Sequence, residues 1–109
     1  MFLSGYRCMW LIVMFDLPTK TTSDRKMYTG FRKHLLEDGF IHMQHSVYHR
    51  FCSSLEKAET HVRRLERNLP KHGDVRVIRI TDKQFEKMNI YWGKSRQPLE
   101  NAPTQLLFF

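Results

Sequence analysis

Apolar residues in the first third of the chain follow first a strand pattern and then a helix pattern. Residues 9–15 form an unbroken apolar run with β-branched residues inside it, typical of a central strand covered on both faces. In the polar segment that follows, Thr21 or Thr22 provides a helix N-cap. The next apolar residues recur at helical spacing over residues 27–36, and Gly39 ends the predicted helix.

The middle of the chain predicts two strands, a helix and a further strand. Residues 40–51 are rich in β-branched and aromatic residues but too many for one strand, so we expect a break near residues 44–46. Ser53 and Glu56 have the spacing of a capping box, and a proline ends the helix behind them. A glycine–aspartate turn then leads into a strand over residues 75–80. The apolar stripe of the helix consists of Leu55, Ala58, Val62, Leu65 and Leu69.

The last part of the chain predicts smaller elements. Thr81 or Asp82 caps a short helix, and residues 89–93 indicate a short strand. A polar, proline-containing linker separates this strand from the apolar residues TQLLFF. We therefore divide the chain into a core domain, residues 1–80, and a C-terminal extension, residues 81–109.

The order strand, helix, two strands, helix, strand predicts an α+β fold, the ferredoxin-like βαββαβ sandwich with both helices on one face of an antiparallel sheet. The first and last strands are apolar on both sides, so the second face of the sheet must also be covered. A chain of this length has no segment left to cover that face, so we expect a second copy of the chain to do so. We expect a homodimer packed sheet to sheet, in which the residues LLFF add a strand to the partner's sheet.

The net charge of the chain indicates a class of function in addition to the fold. The chain of 109 residues has 18 lysines and arginines against 11 aspartates and glutamates, a formal net charge of +7. Such a field favours a polyanion, and nucleic acid is the first candidate. A basic protein without such a partner remains the alternative.

Cysteine and histidine positions argue against a transition-metal centre. Cys8 and Cys52 are far apart and form no C-x-x-C motif, which fits thiols in a reducing cytosol. Strand alternation separates His42 from His45 and His49. The apolar run after Cys8 is too short to cross a bilayer or to act as a signal segment, so we expect a cytoplasmic protein without a membrane partner.

Asp16 is the main candidate for chemistry, because it places a carboxylate directly after an apolar strand. Two copies meeting about a two-fold axis would bring two such carboxylates together. Paired carboxylates, waters and a phosphate form a plausible Mg²⁺ site, since this ion takes oxygen ligands. The alternative is an aspartate that only hydrogen-bonds its own turn.

Three ordered segments, MWLIVMFDLPT, DRKMYTGFRKHLLEDGF and MQHSVYHRF, resemble the small CRISPR-associated adaptation protein, the second of the two universal spacer-acquisition proteins. The match is carried by Phe15 and Asp16 at the end of the first strand, Arg25 early in the first helix, and Gln-x-Ser-Val-aromatic over residues 44–48. The segments FDLPT and DKQFEKM resemble the variant from systems with a single large RNA-guided effector nuclease.

The resemblance implies a homodimeric scaffold that holds double-stranded DNA between two dimers of the CRISPR integrase. It also implies, for some members, a Mg²⁺-dependent endonuclease on single-stranded RNA or on DNA, with Asp16 as catalytic residue and metal ligand. Phe15, Ser46 and Tyr48 would support this site. The family often has tyrosine where this chain has Phe15, so a phenol oxygen is missing there.

Phosphate contacts should dominate binding by a scaffold that accepts many sequences. A stand-alone, toxin-like endoribonuclease of the same fold is the alternative function. An RNA-recognition module ranks lower because its aromatic signature is absent, and a small-molecule regulatory domain would not need the positive charge.

The candidate nucleic-acid-binding residues are Lys20, Arg25, Arg32, Lys33, Arg63, Arg64 and Arg67, and Lys26, Lys71, His72, Arg76 and Arg79 continue the basic run.

Overall fold

The structure, a computed structural model, describes residues 8–93 and 95–97. Four strands form an antiparallel sheet in the order β2-β3-β1-β4, and β5 pairs with β6 in a separate two-stranded sheet. The predicted ferredoxin-like α+β order is confirmed. The elements are β1 (Met9–Asp16), α1 (Thr22–Glu37), β2 (Ile41–Gln44), β3 (Val47–Cys52), α2 (Leu55–Glu66), β4 (Asp74–Thr81), α3 (Asp82–Glu86), β5 (Ile90–Trp92) and β6 (Ser95–Gln97).

Local capping chemistry sets where the helices begin. The Thr21 hydroxyl accepts the Asp24 N–H at 3.0 Å while the Asp24 carboxylate accepts the Thr21 N–H, which confirms a predicted cap of α1. Thr81 caps α3 in the same way with Gln84. The predicted capping box of α2 is wrong by one residue.

The cap of α2 is Ser54, whose hydroxyl accepts the Lys57 N–H at 3.1 Å. The reason is that β3 extends through Cys52, which pairs with Met9, so the chain turns into the helix one residue later than Ser53 suggested. The helix also ends at Glu66, before the proline. Leu55 and Leu69 consequently lie outside the core, with 55% and 47% of their surface exposed.

The core lies between the helices and one face of the sheet. Alternate positions of β1 point to the helices, so Leu11, Val13 and Phe15 are buried while the intervening side chains face the other side. The helices complete the cluster with buried residues at helical spacing. These are Phe31 and Leu35 of α1 and Ala58, Val62 and Leu65 of α2.

The second face of the sheet is covered at one end by the chain itself. Phe85 of α3 stacks on Trp10 with ring centroids 3.8 Å apart, and the Trp10 indole N–H donates to Asp82 at 2.7 Å. The expectation that only another copy could cover this face is therefore too strong. The rest of the face keeps exposed apolar side chains, with Ile78 at 43% and Ile41 at 60%.

Beyond α3, the predicted strand is confirmed as β5, and the predicted linker contains β6. The residues TQLLFF, with their predicted strand exchange, lie outside the described residues. The division at residue 80 stays a prediction. Among the described residues, no helix combines the length and apolar character needed to cross a bilayer.

A buried carboxylate joins the two helices to the sheet. Asp38, the C-cap of α1, has a side chain only 9% exposed, and its carboxylate contacts His61 Nδ1 at 2.7 Å and Arg64 Nη1 at 2.8 Å. Its carbonyl accepts from Arg50 Nε at 2.7 Å. Gly39 follows with φ of +88°, where a Cβ would lie 3.2 Å from the Arg50 guanidinium. We call Asp38, Arg50, His61 and Arg64 the Asp38 network.

We expect Asp38→Asn to lower the free energy of unfolding by about 1–3 kcal/mol at neutral pH, because it removes the charge that His61 and Arg64 solvate. Burial by itself raises the pKa of the Asp38 carboxyl, but hydrogen bonds from His61 and Arg64 outweigh it and hold that pKa below its ordinary value. The ionised carboxylate therefore stabilises fully above the ordinary carboxyl pKa, and this stabilisation is lost as the pH falls through the lowered pKa.

Urea unfolding as a function of pH measures this effect. The difference between wild type and Asp38→Asn should shrink toward acid pH, while Glu37→Gln, at the neighbouring exposed carboxylate, should follow the wild type. A constant difference across the acid range would contradict the role assigned to the Asp38 charge.

Candidate functional site

Three loops meet at the carboxyl end of β1. The turn between β2 and β3 reaches it through Ser46, whose carbonyl accepts the Phe15 N–H at 3.0 Å. The loop between α2 and β4 reaches it through Gly73, where a Cβ would lie only 2.4 Å from the Asp16 carbonyl oxygen. The loop from β1 to α1 starts here as well. We call this region the Asp16 edge.

Asp16 is exposed on a backbone that is held on both sides. Phe15 and Leu17 flank it in sequence and are 6% and 8% exposed, so the chain is anchored in the core before and after the carboxylate. Asp74 is its cross-strand partner in the β1–β4 register. Among residues 8–93 and 95–97 no hydrogen bond or ion pair engages the Asp16 carboxylate, so the alternative of a turn-bonded aspartate gains no support.

An exposed, unengaged carboxylate fits one ligand position of Mg²⁺, which prefers oxygen donors and keeps several waters. The described part of one chain contains no group of three or more His, Cys, Asp or Glu side chains that could hold a metal ion. Asp16 therefore needs ligands from elsewhere, either a second copy, water or phosphate. The Mg²⁺ site stays a prediction.

The predicted supporting residues lie around Asp16 in different settings. Phe15 stacks against Tyr48 with centroids 5.8 Å apart and meets Phe31 edge to face at 5.1 Å. Tyr48 is 1% exposed, so both rings belong to the core beneath the Asp16 edge. Ser46 shapes the adjoining turn with a positive φ of 58°. These residues can support the edge by packing and backbone geometry.

Arg25 orders the loop that leaves the Asp16 edge. Its guanidinium donates to the carbonyls of Thr19 at 3.3 Å and Lys20 at 3.1 Å, and to the Thr22 hydroxyl at 3.4 Å. It remains exposed, as does Lys20. This arginine therefore holds in place the backbone of the loop that carries Lys20.

The predicted nucleic-acid-binding residues of the helices fall into two groups. Arg64 is bound to Asp38, and Arg63 donates to the Thr60 hydroxyl at 3.3 Å. Arg32, Lys33 and Arg67 are exposed, and within the described part of the chain no ion pair engages them. The second group is better suited to phosphate because no internal contact must be broken.

The salt bridge between Arg79 and Glu59 engages another of the predicted nucleic-acid-binding cations. Arg79 donates two hydrogen bonds to the Glu59 carboxylate, and the bond to Oε1 measures 3.1 Å. This hydrogen bonding lowers the pKa of Glu59 and raises that of Arg79. Arg79 is thereby directed to α2, so it is a weaker phosphate candidate than its charge suggests.

Two features of this region escaped the sequence analysis. His61 and Asp38 form a buried pair 23 residues apart in the chain. A signal existed for His61, since it lies on the buried stripe of α2 between Ala58 and Leu65, where a polar residue needs a partner. Gly73 was noted only as a turn residue, and its contact with Asp16 has no signal in the local sequence.

Comparisons with known proteins identify a family and agree with this fold. A family model described as "CRISPR associated protein Cas2" matches residues 9–88. A protein from Parvibaculum lavamentivorans called "CRISPR-associated endoribonuclease Cas2" is 54% identical over 101 residues, covering 93% of this chain and 100% of that protein. A protein of the same name from Flavobacterium psychrophilum is 47% identical over 107 residues, covering 98% and 93%.

A solved structure described as "Crystal structure of cas2" superimposes with a TM-score of 0.58 over 93% of this chain and 99% of that chain. Its sequence identity is 17%, so this likeness bears on the fold alone.

We expect Gly73→Ala to destabilise the fold by about 1–3 kcal/mol and to displace the loop from the Asp16 edge, because φ is +86° and the new Cβ would strike the Asp16 carbonyl. Gly93→Ala is the matched control, since Gly93 also has a positive φ of 60° but has no atom within 4 Å of a Cβ. Urea unfolding should show a larger loss for Gly73→Ala; equal losses would contradict the close contact.

Proposed function

Because the chain belongs to the Cas2 family of CRISPR-associated proteins, we propose that it acts in spacer acquisition as a homodimeric scaffold that binds double-stranded DNA within the integrase complex. The observation that carries this proposal is that large apolar side chains are exposed on the sheet face, whereas the helical face carries exposed cations without ion pairs among the described residues. The sheet face suits contact with another copy of the chain, and the helical face suits a polyanion.

The sheet face supports the dimer. Ile78 and Ile41 are large apolar side chains exposed on it, and Ile12 and Met14 between them are only half-buried. A second copy packed against this face would remove them from water. Within the described residues β4 has one partner, β1, so its other edge is available to a strand from residues 104–109 of the partner copy.

The helical face supports DNA binding. Exposed cations without internal ion pairs in the described part occur on the loop before α1, on α1 and at the end of α2, as Lys20, Arg32, Lys33 and Arg67. Such side chains contact phosphates without reading bases, which fits a scaffold that accepts many sequences. The net charge of +7 adds a long-range attraction.

A Mg²⁺-dependent endonuclease acting on single-stranded RNA or on DNA is the second candidate function, either beside the scaffold role or as a stand-alone endoribonuclease. The relatives' name, endoribonuclease, and the unengaged carboxylate at the Asp16 edge favour it. Asp16 from each of two copies would hold the ion, which supplies a bound water of lowered pKa and offsets phosphate charge. Arg25 and Ser46 would keep the surrounding loops in place.

We expect Asp16→Asn to lower any Mg²⁺-dependent cleavage about 100-fold or more, because an amide binds this ion poorly. The measurement compares cleavage of single-stranded RNA and of DNA with Mg²⁺ and with a chelator, alongside spacer acquisition in cells. Asp74→Asn is the control on the paired strand. Cleavage that survives Asp16→Asn contradicts the enzyme, whereas acquisition that continues without cleavage leaves the scaffold as the function.

Deleting residues 105–109, QLLFF, should weaken both the dimer and its complex with the integrase, because it removes the apolar strand proposed to cross to the partner's sheet. Light scattering measures the dimer, and co-purification with tagged integrase measures the complex. A variant with five polar residues of equal length separates apolar contact from chain length. A full-length protein that is monomeric and retains no integrase would contradict the proposed function.

A further inference from the structure

A cleft on the outer side of the helical layer has no role in the sites described above. It has a volume of about 260 Å³ and lies between α1 and the segment that follows α2. Its walls are largely apolar, with Met27 and Phe31 on one side and Leu69 and Pro70 on the other. We call it the α1–α2 cleft.

Gly30 lies in the wall of this cleft, and neither its backbone conformation nor a close contact within the described residues requires glycine there. It lies inside α1, where glycine disfavours the helix relative to alanine. Its φ is not positive, and a Cβ at this position would meet no atom within 4 Å. The space over Gly30 therefore suits the close approach of another chain, for which a missing side chain is useful.

His34 gives an independent observation. It lines the same cleft one helical turn after Gly30, and its Nε2 is buried without a hydrogen-bond partner within the described residues. Buried polar atoms are almost always paired in native structures. The amide of Asn68, also in the wall, already donates to the Arg64 carbonyl at 2.8 Å. The His34 ring therefore leaves hydrogen-bonding capacity in the cleft wall that the described residues do not use.

We propose that the α1–α2 cleft binds an apolar side chain of the integrase, on a segment that also carries an acidic residue. This inference rests on the proposed function, since it names the surface that the integrase occupies. The apolar walls fit an aliphatic or aromatic side chain, and Leu69, which is 47% exposed, would be covered.

Charge around the cleft selects the partner's chemistry. Lys26 and Lys33 flank Gly30 on α1, and Lys71 lies in the opposite wall. These exposed ammonium groups complement a carboxylate on the incoming segment. Duplex DNA would use the same cations but offers no apolar side chain to fill the cleft, so a protein segment is the better occupant.

Filling the cleft tests this proposal. Gly30→Leu places a side chain into the space over α1, so it should weaken binding of purified integrase at least tenfold while dimer mass and DNA binding stay as in wild type. Thr29→Leu adds the same side chain to the neighbouring exposed position of α1, outside the cleft walls, and should bind as wild type does. Equal affinity of folded Gly30→Leu and wild type would overturn the proposal.

Hydrogen exchange on the unmodified protein tests the same point without a variant that must fold. Integrase should slow exchange at residues 27–34 and 68–71. Unchanged exchange there in a formed complex overturns the cleft assignment alone. Arg32 and Lys33 are proposed DNA contacts, so residues 69–71 of the opposite wall decide between the occupants. Protection of these residues by duplex DNA without integrase, or by raising the protein concentration, also overturns the cleft assignment in favour of nucleic acid or a second copy. Wild-type protein that binds no integrase refutes the scaffold function, and the cleft assignment with it.

Discussion

The hydrogen bonds received by the Asp38 carboxylate are the constraint on which the arrangement of the helices depends. A carboxylate removed from water is costly unless donors replace its hydration, and His61 and Arg64 of α2 supply them while Arg50 of β3 holds the Asp38 carbonyl. One residue at the end of α1 thus ties α2 and β3 together, in addition to the apolar packing of both helices on the sheet. Two of the three loops of the Asp16 edge, which leave α2 and enter α1, are attached to the helices that this contact joins.

The Asp16 edge combines a rigid backbone with an exposed functional group. Phe15 and Leu17 are buried, and Ser46 and Gly73 press their backbones against the end of β1. The carboxylate itself points to no internal partner within the described residues. A group held in place but not used by its own chain suits a site that a second copy, a metal ion or a phosphate completes.

The layers of the fold separate the proposed contacts. The sheet face opposite the helices exposes the apolar side chains of Ile78 and Ile41, and also Arg76 beside Met14. Helix α3 covers the end near Trp10, which leaves Ile78 and Ile41 for the proposed second copy. The helical face has the unpaired cations and the α1–α2 cleft. The proposed contact with a second copy is thus on a different layer from those with DNA and integrase, which share the helical face and its Lys33.

The order of strands and helices and the Thr21 and Thr81 caps followed from the sequence alone, because periodicity and capping act between residues a few positions apart. The net charge also followed from it, as did the choice of Asp16, a carboxylate directly after an apolar run, as the main candidate for chemistry. The capping-box spacing favoured Ser53 over the adjacent Ser54, and only the pairing of Cys52 with Met9 decided that Ser54 caps α2. The roles of Arg64, His61 and Gly73, and the cover that Phe85 gives Trp10, were decided by tertiary structure. Their partners lie far along the chain, as between Trp10 and Asp82, 72 residues apart, and no local pattern records such contacts.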